Sequence, residues 1–385
     1  MRRTAYLGFM TAAVLSAAAC RSGSTGGGGF TPPASRPANI VLTAVAIGYP
    51  YTAVGYSSPF PSSAAALRTP SSGIQTTWMA HDASGDLFVA ENPVNPNPSV
   101  TSTATPEIAI YTPPYAKIKT TITNGIDSPV WMAIDNLGNL FVANVPQGAS
   151  YGTMNVYAPP YTSAPFTTIA NVSYSSAFLA LGPNGVLFSA NQIGPPCFCL
   201  AYDIYTPPYT AAPQSISLLG FTGDSPFAFD AYGNLFVGNF QEIDEYSPPA
   251  YNPVTPITGL NLVDGVIIGK SGELFAMQYS SFSLRVPNTV EAYSPPYTGA
   301  PTTITPCPSG YGIDDKGAGM TSDDSGNLFV VCWDGTITVW APPYTEATPT
   351  YVLAGNVWGP IMSLQSTPAS FSSARTRAAR SAFHH

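Results

Sequence analysis

A short core, Gly-x-Leu-Phe followed by mostly small or apolar residues, returns six times along the 385-residue chain. The copies begin at Gly85, Gly138, Gly185, Gly233, Gly272 and Gly326, spaced 53, 47, 48, 39 and 54 residues apart. Each is followed by an aromatic-x-Pro-Pro element ending in tyrosine, at 111–115, 157–161, 205–209, 246–251, 293–297 and 340–344. A repeat of this length denotes a solenoid, a propeller or an array, in which each unit buries its apolar face only against its neighbours.

The second copy shows what one unit contains. Residues 129–134 (PVWMAI) form an apolar run suited to a buried strand. Asp135 to Asn139 reads as a turn, in which a short polar side chain bonds local N–H groups and Gly138 tolerates positive φ. Residues 140–143 make a second strand and 154–157 a third, which Pro159 and Pro160 must end because proline donates nothing to a ladder. Residues 167–170 supply a fourth. Four short strands per repeat describe a propeller blade, so the expected fold is an all-β propeller of four-stranded blades.

These residues also carry a family resemblance. Pro129, Ala133, Asp135, Gly138, Asn139 and the run to Asn144 resemble the NHL repeat, and the stretches at 226–239 and 78–90 share the pattern. The copies around Gly182 and Gly269 lack the turn aspartate, and the Pro-Pro-Tyr element is not part of the general NHL pattern. The resemblance covers about 74–352 and implies a propeller. The flanks look like further blade fragments. Met362 and Leu364 align with Met132 and Ile134, Phe371 aligns with Phe141, and 47–51 (IGYPY) resembles a Pro-Pro-Tyr strand end. The expectation is therefore seven blades over 38–374, the seventh composite, with two strands from each terminus. Six blades is the alternative.

Residues 1–20 read as an export signal. Arg2 and Arg3 precede an apolar stretch, and Ala17, Ala18 and Ala19 precede Cys20. Small residues before a cysteine resemble the lipobox of bacterial lipoproteins, although Ala17 stands where that motif usually has leucine. The resemblance implies lipidation of Cys20 and a membrane contact through that anchor alone; plain secretion is the alternative. Residues 21–37 are rich in Gly, Ser and Pro and form a tether, while 375–385 form a basic, disordered tail.

Between Pro37 and Gln365 six cations face all 21 acids of the chain. So acidic a body repels phosphate backbones, and nucleic acid is not an expected partner. The expected location is the bacterial cell envelope, and the expected partner is a protein or a glycan there.

Function belongs on the face carrying the connections between second and third strands, because these vary in length. They place Tyr151, Phe198, Tyr279, Phe282 and Arg285 there, and Arg285 could anchor an anionic group. The Pro-Pro-Tyr elements fall on the opposite face, either packing between blades or forming an aromatic girdle for sugar rings. Catalytic groups are sparse. His81 is the one histidine inside the repeats and is expected to be a core residue. Two enzyme families share this architecture. Resemblance to streptogramin B lyases would imply histidine and magnesium chemistry, and resemblance to gluconolactonases a divalent metal held by Glu, Asn and Asp. The densest oxygen cluster for such an ion, Ca²⁺ or Mg²⁺, is Asp314, Asp315 and Asp324 around the turn residue Asp323. No cofactor is otherwise expected. Cysteine usage suits an oxidising compartment, with a disulfide between Cys307 and Cys332. Cys197 and Cys199 either bridge locally or stay reduced.

The leading expectation is a non-catalytic binding or scaffold propeller. A metal-dependent lyase or hydrolase is the second reading, and a structural envelope protein the third.

Overall fold

The computed structural model describes residues 41–46, 52–57, 65–66 and most of 74–353. An N-terminal sheet holds β1 (Val41–Ala46), β2 (Thr52–Ser57) and β3 (Ala65–Ala66). Six sheets follow, one for each repeat. Blade 1 is β4 (Ile74–His81), β5 (Leu87–Pro93), β6 (Glu107–Tyr111) and β7 (Ile118–Ile122). Blade 2 is β8 (Pro129–Ile134), β9 (Leu140–Asn144), β10 (Tyr151–Tyr157) and β11 (Thr167–Ser173). Blade 3 is β12 (Leu179–Leu181), β13 (Leu187–Gln192), β14 (Leu200–Tyr205) and β15 (Gln214–Leu218). Blade 4 is β16 (Phe227–Phe229), β17 (Leu235–Asn239) and β18 (Glu242–Ser247), with an outer edge split into β19 (Asn252–Pro253) and β20 (Ile257–Thr258). Blade 5 is β21 (Val263–Ile268), β22 (Leu274–Gln278), β23 (Thr289–Tyr293) and β24 (Thr302–Ile304). Blade 6 is β25 (Met320–Ser322), β26 (Leu328–Val331), β27 (Ile337–Trp340) and β28 (Tyr351–Leu353).

Within every blade the strands pair antiparallel in chain order. The first strands touch one another from blade to blade, β4 to β8, β12, β16, β21 and β25, so they form the hub. This is a β-propeller of six four-stranded blades, the alternative of the two blade counts expected. The N-terminal strands pair only with one another among the described residues, and β2 lies against β4. Residues 357–374 and 47–51, assigned above to a seventh blade, lie outside the described residues. So do 1–40 and 375–385, which include the signal, Cys20, the tether and the tail.

The repeated Leu-Phe pair builds the seams between blades. All twelve of these side chains, from Leu87 and Phe88 to Leu328 and Phe329, have no exposed surface. Neighbours along a strand point to opposite faces. The leucine packs toward the preceding blade, as Leu235 does on Phe188, and the phenylalanine toward the following one. Burying side chains of this size stabilises by about 1.5–3 kcal/mol each, so the seams are the principal store of stability.

Candidate functional site

The two faces of the ring are built by different rules. On one face lie the turns joining first to second strands. All six contain five residues: 82–86, 135–139, 182–186, 230–234, 269–273 and 323–327. The fourth turn position is glycine with φ of 75–91°, a conformation that other residues adopt only with strain. In blade 2 the Asp135 carboxylate accepts from the backbone N–H groups of Leu137 (2.9 Å) and Asn139 (2.7 Å), and from the Asn139 amide (2.8 Å). Asp230 and Asp323 do the same in blades 4 and 6. Blades 3 and 5, with Gly182 and Gly269 at that position, close the turn through backbone bonds from Gly182 to Val186 and from Gly269 to Glu273.

The Pro-Pro-Tyr elements lock onto these turns. Each final tyrosine has φ of 50–66°, and Tyr161, Tyr209 and Tyr297 donate their hydroxyls to the carbonyls of Gly138, Gly185 and Gly272 at 2.6–2.7 Å. Tyr115 and Tyr344 bond Gly85 and Gly326 in the same way. The rings then meet the preceding blade's phenylalanine edge to face: Phe88–Tyr161, Phe141–Tyr209, Phe188–Tyr251, Phe236–Tyr297 and Phe275–Tyr344, with centroids 5.1–5.5 Å apart. Such pairs contribute about 0.5–1.5 kcal/mol beyond their area. Burial pushes the hydroxyls of Tyr115, Tyr161 and Tyr297 up to about 12, with nearby turn carboxylates adding to the effect. The motif tyrosines therefore act as packing residues. What this face leaves exposed is the prolines, together with Leu137 (75 %) and Tyr232 (86 %) at the third turn position of blades 2 and 4.

The opposite face has no common rule. Its second-to-third connections span 94–106, 145–150, 193–199, 240–241, 279–288 and 332–336. Phe198, Phe282 and Arg285 lie in these connections outside the described residues, as do Cys197 and Cys199. Tyr151 begins β10 at the rim. Tyr279 follows β22, donates its backbone N–H to the Leu262 carbonyl, and keeps only 8 % of its surface exposed. Trp333, at the tip of the blade 6 connection, is half exposed. It follows the repeat core directly, where the sequence pattern offered no sign of a surface role. On blade 4 Glu242 and Asp244 share the Asn239 amide, and burial, reinforced by the Glu242 charge, holds the Asp244 carboxyl above its ordinary range.

One side-chain position on this rim is a latch. In blades 2 and 5 the sixth residue after the repeat glycine accepts a bond from the segment leading into its own blade: Asp127 N–H to Asn144 Oδ1 at 3.1 Å, and Asn261 N–H to Gln278 Oε1 at 2.7 Å. In blade 6 that residue is Cys332, and it is joined by a disulfide to Cys307 of the lead-in segment, with Cα atoms 5.6 Å apart. A covalent bond thus occupies the place of an amide hydrogen bond.

The described residues do not assemble a metal centre. No group of three or more His, Cys, Asp or Glu side chains among them converges on one point. Asp314, Asp315 and Asp324 lie outside the described residues, and the carboxylate of Asp323 is engaged within its own turn. His81 is packed edge-on against Tyr115 with centroids 5.9 Å apart, and burial pulls its imidazole down to about 4. Its ring nitrogens are buried and it stays neutral near pH 7, which does not fit a general base facing a substrate.

Comparison with known proteins gives the fold class and nothing narrower. A protein of unknown function from Desulfotomaculum acetoxidans has a similar structure, with TM-score 0.58 and 13 % identity, covering 84 % of this chain and 98 % of its own. A chain of the mitotic checkpoint complex is similar with TM-score 0.54 and 13 % identity, covering 79 % and 89 %. Both likenesses are to the propeller alone. No family model matches the chain, and neither does any curated protein.

Proposed function

We propose that this protein is an exported, lipid-anchored propeller of NHL type that binds a protein or glycan partner of the bacterial cell envelope and performs no chemistry. The observation that carries this reading is the contrast between the faces: six turns of one length on one side, six connections of six different lengths on the other. A rigid scaffold with loops of unequal length is how binding surfaces are usually built. The partner meets the loop face, to which Tyr151, Phe198, Tyr279, Phe282 and Arg285 belong by their place in the second-to-third connections.

The anchor is tested by labelling cells with a radioactive fatty acid. Wild type takes up label and Cys20→Ser does not; equal labelling overturns the anchor. Binding is tested on immobilised envelope glycan and on a detergent extract of envelope proteins. Arg285→Ala should weaken capture by one of them at least tenfold; undiminished capture removes Arg285 from the surface. Melting in EDTA and in Ca²⁺ or Mg²⁺ separates off the metal-dependent lyase or hydrolase, since an ion bound only by the native state raises the melting temperature. This reading expects no shift.

A further inference from the structure

His81 ends β4, directly before the first turn of blade 1. The same position holds Ile134, Leu181, Phe229 and Ile268 in blades 2 to 5. Those side chains pack toward the preceding blade. Phe229 lies 4.6 Å from Phe188, Leu181 joins the cluster of blades 1 and 2, and Ile268 joins the cluster around Phe236 and Ile243. His81 therefore stands on the side of blade 1 that faces away from blade 2, with the blade 1 cluster of Met79, Leu87 and Tyr115. Both of its ring nitrogens are buried and neither makes a well-formed hydrogen bond, the Gly85 backbone lying near enough only to favour the protonated ring weakly. A buried imidazole with so little hydrogen bonding is as apolar as this side chain becomes, and a proton on it would place a poorly compensated charge out of water.

We propose that His81 is an acid-sensitive latch on the side of blade 1 that faces away from blade 2, so that protonating it loosens blade 1 first while the seams from blade 2 through blade 6 stay packed. The titratable and charged groups around it among the described residues offer the imidazolium little. Asp82 is occupied by the N–H groups of Ser84 and Asp86. Asp86 is paired with Lys119 at 2.5 Å. Tyr115, which packs on the ring, gives its proton to the Gly85 carbonyl. The Gly85 backbone favours the protonated ring, but burial outweighs it and holds the imidazole near 4.

The sign follows from linkage. The unfolded chain takes up the proton near pH 6.5, and the folded protein resists it down to about 4. Stability is complete above pH 6.5 and falls as the pH drops toward 4, by at most about 300-fold in the folding constant.

The test compares the whole mature protein with His81→Ile, which installs the residue of blade 2. Thermal melting and backbone hydrogen exchange are followed at pH 7.5 and 4.5. The wild type should lose markedly more melting temperature on acidification than the variant, and its exchange should rise first in β4 to β7. An equal loss in both proteins, or exchange rising evenly in all blades, overturns the proposal. If His81→Ile does not fold, His81→Gln, which cannot be protonated, must show the same reduced pH dependence. A Gln variant as acid-sensitive as the wild type is equally contrary.

Discussion

The turn face and the loop face use the same strands but differ in what their polar groups do. On the turn face nearly every repeated polar group is satisfied by another part of the repeat: aspartate by turn N–H groups, tyrosine hydroxyl by turn carbonyl, tyrosine ring by the preceding blade's phenylalanine. On the loop face the shared element is a latch residue in blades 2, 5 and 6, and even that changes from Asn144 to Gln278 to a disulfide at Cys332. One face is held to a rule because every seam depends on it. The other is free to vary because little of the packing does.

The contrast can be broken most severely at a seam. Phe236→Ala removes a fully buried ring that touches Tyr297, and should cost about 3–5 kcal/mol in urea unfolding. Alanine at Cys307 and Cys332 together should cost about 3 kcal/mol, the ordinary effect of a disulfide closing a loop of this size. If the latch idea is right, Cys307→Ala with Cys332→Asn should recover part of that loss, since asparagine restores the acceptor found in blade 2. Recovery no better than with alanine refutes it. Tyr161→Phe keeps the ring against Phe88 and deletes the bond to Gly138, so the loss should be near 1 kcal/mol.

Alkali offers a graded version of the same test. The turn-face hydroxyls of Tyr115, Tyr161 and Tyr297 ionise near 12 in the fold, against 10 when exposed. Their contribution is complete below pH 10 and is lost as the pH rises from 10 toward 12. Tyrosine absorbance at 295 nm should therefore rise in a late step that coincides with unfolding. A rise completed well before unfolding would show that these hydroxyls are not buried.

Much of this was legible in the residues. The apolar run, Asp-x-x-Gly turn and Pro-Pro stop of the second copy mark its four strands, because each is a local rule. The pairing of Cys307 with Cys332 followed from placing both on one rim of one blade. The lock between Tyr161 and Gly138 was not legible. It joins residues 23 apart through a hydroxyl, and spacing alone does not say where a side chain ends. Nor was the burial of Tyr279: a residue just past a strand looks like loop, yet its backbone still bonds Leu262. The choice between six and seven blades was not legible, since a few apolar residues in the flanks read as strands as readily as those of the repeats do, and the N-terminal flank forms its own sheet.

The most direct test of the division between faces is to delete 280–287, which leaves the buried Tyr279, with Asn288, as a two-residue connection like that of blade 4, and to measure melting temperature and capture by envelope glycan and protein together. The account predicts an unchanged melt, within a degree or two because surface loops contribute little to stability, and a clear loss of capture. A variant that melts far lower, or that binds as well as the wild type, would contradict it.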